Sequence, residues 1–175
     1  MGDSLILTGF MGVGKTATGR ELARLLGWEF VDLDREIERV EGRNIPEIFA
    51  RSGEAHFRDA EFRVLTQVLG RDQTVVATGG GAILGERNRE LLADRLVFYL
   101  YASALECLRR LERSRVERPL LAGEDREARV LKLYADREAL YESCGRKITT
   151  EGLTPEEVAA VILKALGWEA ARVAA

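Results

Sequence analysis

Five short runs rich in branched and aromatic residues punctuate the chain: SLILT at 4–8, EFVDL at 29–33, TVVAT at 74–78, RLVFYL at 95–100 and a weaker RKITT at 146–150. Between most of them apolar positions recur at helical spacing, as in Leu22, Leu25 and Leu26 or in Val158, Val161, Ile162 and Leu166. Strands alternating with helices predict crossover units and a parallel sheet, hence an α/β fold. The helical apolar positions read as core faces. The last helix has a legible start, Thr154 as N-cap and Pro155 in the first turn followed by Glu156 and Glu157, and a stop near Gly167. The pattern leaves residues 168–175 undecided between helix and frayed end. The one polar, glycine- and proline-bearing stretch, ERSRVERPLLAGEDR at 112–126, reads as a mobile loop.

Composition narrows the picture. With 175 residues, 46% hydrophobic and 31% charged, the chain suits a single domain with one buried core. A formal net charge of -3 argues against a nucleic-acid binder, so any anionic ligand must be held by locally placed cations. Arginine dominates those cations, the only lysines being Lys15, Lys132, Lys147 and Lys164. Cys107 and Cys144 show no CxxC spacing and read as buried free thiols of a reducing compartment. No basic, apolar leader opens the sequence and no run of about 18 apolar residues interrupts it, which points to a cytoplasmic protein without membrane attachment.

The strongest motif follows the first strand. Gly9-Phe10-Met11-Gly12-Val13-Gly14-Lys15-Thr16 fits the Walker A pattern G-x-x-x-x-G-K-[ST], with a strand before it and a helix, Ala17 to Leu26, expected after it. A phosphate chain must be wrapped by backbone N–H groups, which requires a loop with little side-chain bulk. Gly12, Val13, Gly14, Lys15, Thr16 and Ala17 are thus the candidate nucleotide contacts. Lys15 would reach the β- and γ-phosphates, and the Thr16 hydroxyl would ligate Mg2+ at the positive end of the helix.

Four further groups bear on the second substrate. Asp32 and Asp34 close the second strand, where parallel sheets place their ligands; in extended geometry both face one side, one for a metal shell and one for an acceptor hydroxyl. Alternatively, Asp34 is the N-cap of the next helix. In GEAHFRDAE at 53–61, Arg58 and Glu61 stand three residues apart, which also suits a solvated ion pair. His56, without a cysteine or an obvious carboxylate to orient it, reads as structural. Gly79-Gly80-Gly81 follows a strand and leaves room and free N–H groups for a ligand, a flexible turn being the alternative. Arg113, Arg115 and Arg118 fall in the mobile-looking loop, and Arg137 lies in ADREALY on the helix expected after it.

GFMGVGKT, DLD, GEAHFRDAE, ATGGGA, RPLL and REALY occur in that order at compatible spacings, and with them the chain resembles the shikimate kinase family over nearly its whole length. The resemblance implies a three-layer P-loop NTPase fold, a five-stranded parallel sheet of order 2-3-1-4-5 flanked by helices. It implies transfer of the ATP γ-phosphate to the 3-hydroxyl of shikimate, in aromatic amino-acid biosynthesis, by a monomer. It places Mg2+ on Thr16 and Asp32, the acceptor hydroxyl on Asp34 and its carboxylate on Arg58 and Arg137. Gly79, Gly80 and Gly81 would line the shikimate side. Arg118 resembles the lid arginine that closes over the transferring phosphate, and Arg113 is the candidate to stack on adenine, with Arg109, Arg110 or Arg115 as alternatives. Ser143-Cys144-Gly145 departs from the family's usual continuation after Tyr141 and leaves Arg137 unaffected. Competing readings are a gluconate or nucleotide kinase of the same fold, a hydrolysis-driven switch protein, and a paralogue that binds ligand without turnover. The paired Arg58 and Arg137 and the short Gly79–Gly81 segment favour a compact carboxylate over a nucleotide and would have no purpose in a switch protein, while the presence of Lys15, Asp34 and Arg118 speaks against a paralogue without turnover.

Overall fold

The computed structural model describes residues 4–113 and 125–168. Strand β1 (Ser4–Thr8) is buried along its whole length, so it needs helices on both faces. Its side chains divide by the period of two: Leu5 and Leu7 enter one core cluster and Ile6 the other. Around it lie β2 (Glu29–Asp32), β3 (Thr74–Ala77), β4 (Leu96–Tyr101) and β5 (Arg146–Thr149), all parallel, in the order β2-β3-β1-β4-β5. This is the expected sheet. Strand ends move by a residue or so, most consequentially at Leu33, which leaves the predicted strand and begins a helix.

Helices α1 (Lys15–Leu26), α5 (Ala104–Glu112), α6 (Arg126–Ser143) and α7 (Pro155–Ala165) supply the larger cluster, around Leu22, Leu108, Tyr134 and Ile162. Helices α2 (Leu33–Glu41), α3 (Ile45–Leu69) and α4 (Glu86–Leu92) supply the other, around Ile37, Phe57, Val64 and Leu92. Helix α1 starts at Lys15, two residues before the expected Ala17, because Gly14 adopts φ 99° and turns the chain directly into the helix. Capping boxes built on Asn44 and Thr154 start α3 and α7, each with proline in the first turn. Helix α7 ends at Ala165 and Gly167 turns at φ 69°, as expected. Trp168 then packs its ring edge-on against Trp28 at 5.6 Å, and residues 169–175 lie outside the described part.

Helix α3 bends at Gly53, whose φ 80° and ψ 173° are not helical. The bend separates a first segment from the stretch that carries His56, Arg58 and Glu61. Because the chain leaves β1 toward β2 on one side and β4 lies on the other, the loop after β1 sits at the sheet's topological switch point, where a crevice opens beyond the strand ends.

Candidate active site

The loop after β1 carries the phosphate-binding motif. Within it the Lys15 ammonium donates to the carbonyls of Gly9 at 2.7 Å and Phe10 at 2.8 Å. A cation is thus stored at the loop by the loop's own oxygens. Thr16 Oγ1 donates to Asp32 Oδ2 at 2.9 Å, joining the start of α1 to the end of β2. Asp32 Oδ1 also accepts from the Arg35 amide at 3.4 Å, so Asp32, and not Asp34, is the N-cap of α2. Asp34 lies in the first helical turn. The shared side expected from extended geometry therefore has a different origin: Asp32 caps the helix toward Thr16, and the turn carries Asp34 to the glycine segment. A Cβ on Gly79 would overlap Asp34 Oδ1, which is the reason this position has none.

The glycine segment is gripped from both flanking layers. Arg58 Nη1 donates to Gly81 O at 3.3 Å and to Glu61 Oε2 at 3.0 Å. Its other edge, Nε and Nη2, reaches Glu54 Oε1 at 3.3 and 3.1 Å. From α6, Arg137 Nη1 donates to Gly80 O at 3.3 Å, and the Tyr141 hydroxyl donates to the same oxygen. Arg137 is only 7% exposed. Asp34, Arg58, Gly79 to Gly81 and Arg137 are therefore brought together, from α2, α3, the β3 end and α6.

Glu61 departs from expectation. It is 1% exposed, so its link to Arg58 is a buried ion pair and not a solvated one. Burial pushes its carboxyl above the usual range, Arg58 pulls it back, and the charge of Asp34 adds to the rise. Tyr141 is also new, although it sits four residues after Arg137 and so on the same helix face. Burial raises its phenol, which keeps it a donor to Gly80.

A cavity of about 260 Å3 opens on the other flank of the phosphate loop, lined by Gly12, Val13, Gly14, Arg110, Thr150 and Pro155 among others. Arg110 is locked there: Nε on Glu106 at 2.7 Å, Nη1 on Val13 O at 3.3 Å and Thr150 Oγ1 at 3.0 Å, Nη2 on Thr150 O at 3.0 Å. Arg113 does not line this cavity; it is exposed at the end of α5. Arg109 is also exposed and pairs with Glu106. Ala17 is exposed on the first turn of α1. Arg115 and Arg118 lie outside the described residues.

His56 Nε2 does have a carboxylate partner, Glu41 at 2.7 Å, contrary to expectation. Glu41 also binds Arg63 and Arg43, so the cluster ties the end of α2 to α3. Cys107 is buried and its thiol is pushed up to about 11 by that burial, while Cys144 is half-buried; among the described residues neither forms a disulfide. Among the described residues no group of three or more His, Cys, Asp or Glu side chains is placed to hold a metal ion by itself, and none of the described helices is long and apolar enough to cross a membrane.

A phosphate-binding loop at the switch point of a parallel sheet, with Arg58, Arg137 and Asp34 gathered on the glycine turn beside it, defines a P-loop kinase. The family model of shikimate kinase matches residues 11–167, and the chain belongs to the shikimate kinase family. The shikimate kinase of Thermodesulfovibrio yellowstonii is 43% identical over 162 residues, 92% of this chain and 93% of that one. The Gloeobacter violaceus shikimate kinase is 47% identical over 154 residues, 88% and 87% of the two chains. Among solved structures, shikimate kinase from Acinetobacter baumannii in complex with shikimate superposes with a TM-score of 0.89 at 42% identity, covering 95% of this chain and 93% of that chain. Family membership displaces the gluconate, nucleotide and switch readings.

Proposed function

We propose that this chain transfers the γ-phosphate of ATP to the 3-hydroxyl of shikimate, giving shikimate 3-phosphate and ADP. The observation that carries the reading is the meeting of Arg58 and Arg137 at consecutive carbonyls of the glycine turn, Gly81 and Gly80, beside Asp34. Two guanidinium groups and one carboxylate suit an acceptor that bears one carboxylate and hydroxyls. Arg58 presents its Nε and Nη2 edge to Glu54, whose side chain is 66% exposed. An entering carboxylate exchanges with Glu54 there at small cost, since an exposed pair is weakly held.

ATP would lay its phosphates on the amides of Gly12 to Thr16 and its base in the cavity between Arg110 and Pro155. Arg110 takes the base-stacking role in preference to Arg113, because hydrogen bonds already fix its plane at the cavity wall. Thr16 and Asp32 fit Mg2+: both offer oxygen, they lie together at the phosphate loop, and a metal that keeps several waters needs only one or two protein oxygens. Bound there, Mg2+ would neutralise charge on the β- and γ-phosphates. Asp34 orients the acceptor hydroxyl and takes its proton late. Lys15 and Arg118 would offset charge on the transferring group; phosphoryl transfer through a loose transition state asks mainly for such positioning and neutralisation. We read residues 1–175 as one kinase domain, acting as a cytoplasmic monomer.

The test is ADP release from Mg-ATP with and without shikimate, with the product mass measured. Shikimate-dependent release with one phosphate added to shikimate is expected. Release that ignores shikimate would overturn the acceptor assignment.

A further inference from the structure

We infer that Asn88 is a positioning residue for the acceptor carboxylate: its side-chain amide, from α4, holds Glu61, which in turn aims Arg58. The inference rests on the shikimate reading above. Asn88 Nδ2 donates to Glu61 Oε2 at 3.3 Å and to Ala82 O at 2.9 Å. Arg58 Nη1 donates to the same Glu61 oxygen at 3.0 Å and to Gly81 O at 3.3 Å. Two donors from two helices thus bind consecutive carbonyls of the segment after β3 and meet on one carboxylate oxygen.

Both members of the relay are inaccessible to water, Glu61 being 1% and Asn88 3% exposed. A buried carboxylate oxygen keeps its place only where donors surround it, and solvent cannot replace one that is removed. The orientation of the amide is set by its neighbours: Glu61 Oε2 and Ala82 O are both acceptors, so Nδ2 must face them. With Asn88 in place, Glu61 is anchored to the glycine segment and occupies only Nη1 of Arg58. The Nε and Nη2 edge is left to exposed Glu54 and is open to exchange with a ligand. Without it, Glu61 follows Arg58 alone and the guanidinium loses its fixed aim. Asn88 touches neither substrate in this account; it acts through Glu61.

The test is a steady-state comparison of the whole chain with Asn88→Ala, Glu61→Ala and the double variant, accompanied by thermal unfolding of each. Expected for Asn88→Ala is a rise of about tenfold in KM for shikimate, with kcat and KM for ATP within about twofold. In the Glu61→Ala background the same change should add nothing further, since residues in one network couple while independent ones add. If Asn88→Ala does not fold, Asn88→Leu keeps a similar volume, removes the donor without adding a charge and carries the same comparison. Unchanged KM for shikimate in a folded variant, equal loss on both substrates, or additive effects with Glu61→Ala would each overturn the relay. A parent chain that turns over ATP without responding to shikimate would instead remove the function on which it rests.

Discussion

At the scale of single residues, the two aspartates after β2 show how one residue of spacing separates two tasks. Asp32 spends both oxygens locally, one on the Arg35 amide and one on Thr16, and so couples the start of α2 to the phosphate loop. Asp34, two residues on and in the first turn of α2, lies against Gly79. Replacing Asp34 by Asn keeps size and polarity but removes the charge that, in the function proposed above, orients an acceptor hydroxyl and accepts its proton. We expect Asp34→Asn to leave KM for ATP within about twofold and to lower kcat by about 10²- to 10⁴-fold, the usual worth of a positioned proton acceptor. Steady-state kinetics in both substrates checks this, and an unchanged kcat would remove Asp34 from the mechanism. The same scale explains a misreading. From spacing alone Arg58 and Glu61 look like any exposed helical pair; only burial makes the carboxylate a fixed part of the site.

At the scale of elements, the bend in α3 sets the direction of the stretch that carries Arg58. Gly53 at φ 80° and ψ 173° lies in a region that is essentially glycine's alone, and a Cβ there would meet nothing within 4 Å. The cost of a side chain is therefore backbone strain and not a clash. Gly53→Ala should destabilise the fold by about 1–3 kcal/mol in chemical denaturation. Because Arg58 and Glu61 follow the bend, KM for shikimate should rise while KM for ATP stays near that of the parent. Loss on both substrates alike would show that the bend serves stability only. The phosphate loop contrasts with this: it belongs to β1 and α1, in the other part of the site, and its hydrogen bonds do not pass through α3.

At the scale of the whole molecule, carboxylates that pin helices to the sheet give the fold an acid limit. Glu36 of α2 accepts from Arg39 and from Arg71, and Arg71 also binds Glu29 at the start of β2. The hydrogen bond from Arg39 first, then that from Arg71, hold the Glu36 carboxyl at about 2 against an ordinary 4.5. A folded pKa below the unfolded one means stabilisation that is complete above about pH 4.5 and is lost as pH falls toward 2. Glu41 and Glu106, held down by His56 and Arg110 respectively, act in the same direction. Glu61 acts in the opposite one, since its raised carboxyl favours the folded state at low pH. Denaturation midpoints should therefore fall between pH 5 and 2, and Glu36→Gln should flatten part of that fall. An identical pH profile in the variant would mean that this network carries none of the acid sensitivity.

Much of this protein could be read along the chain, because the relevant forces are local there. Hydrophobic period and turn residues mark strands and helices, the Walker A loop needs only consecutive backbone amides, and the cap at Thr154 lies within three residues of its partner. The pocket residues Asp34, Arg58, Gly79 to Gly81 and Arg137 were legible as motifs in fixed order. Their meeting was not, since it depends on the parallel order β2-β3-β1-β4-β5 bringing four distant segments to one end of the sheet. Burial was equally hidden. Glu61, Asn88 and Arg110 have sequence surroundings like those of many surface residues, and packing alone turns them into a buried carboxylate, its second donor and a fixed cavity wall. Local pattern specifies conformation, whereas desolvation, and with it the strength of a charge, belongs to the assembled layers.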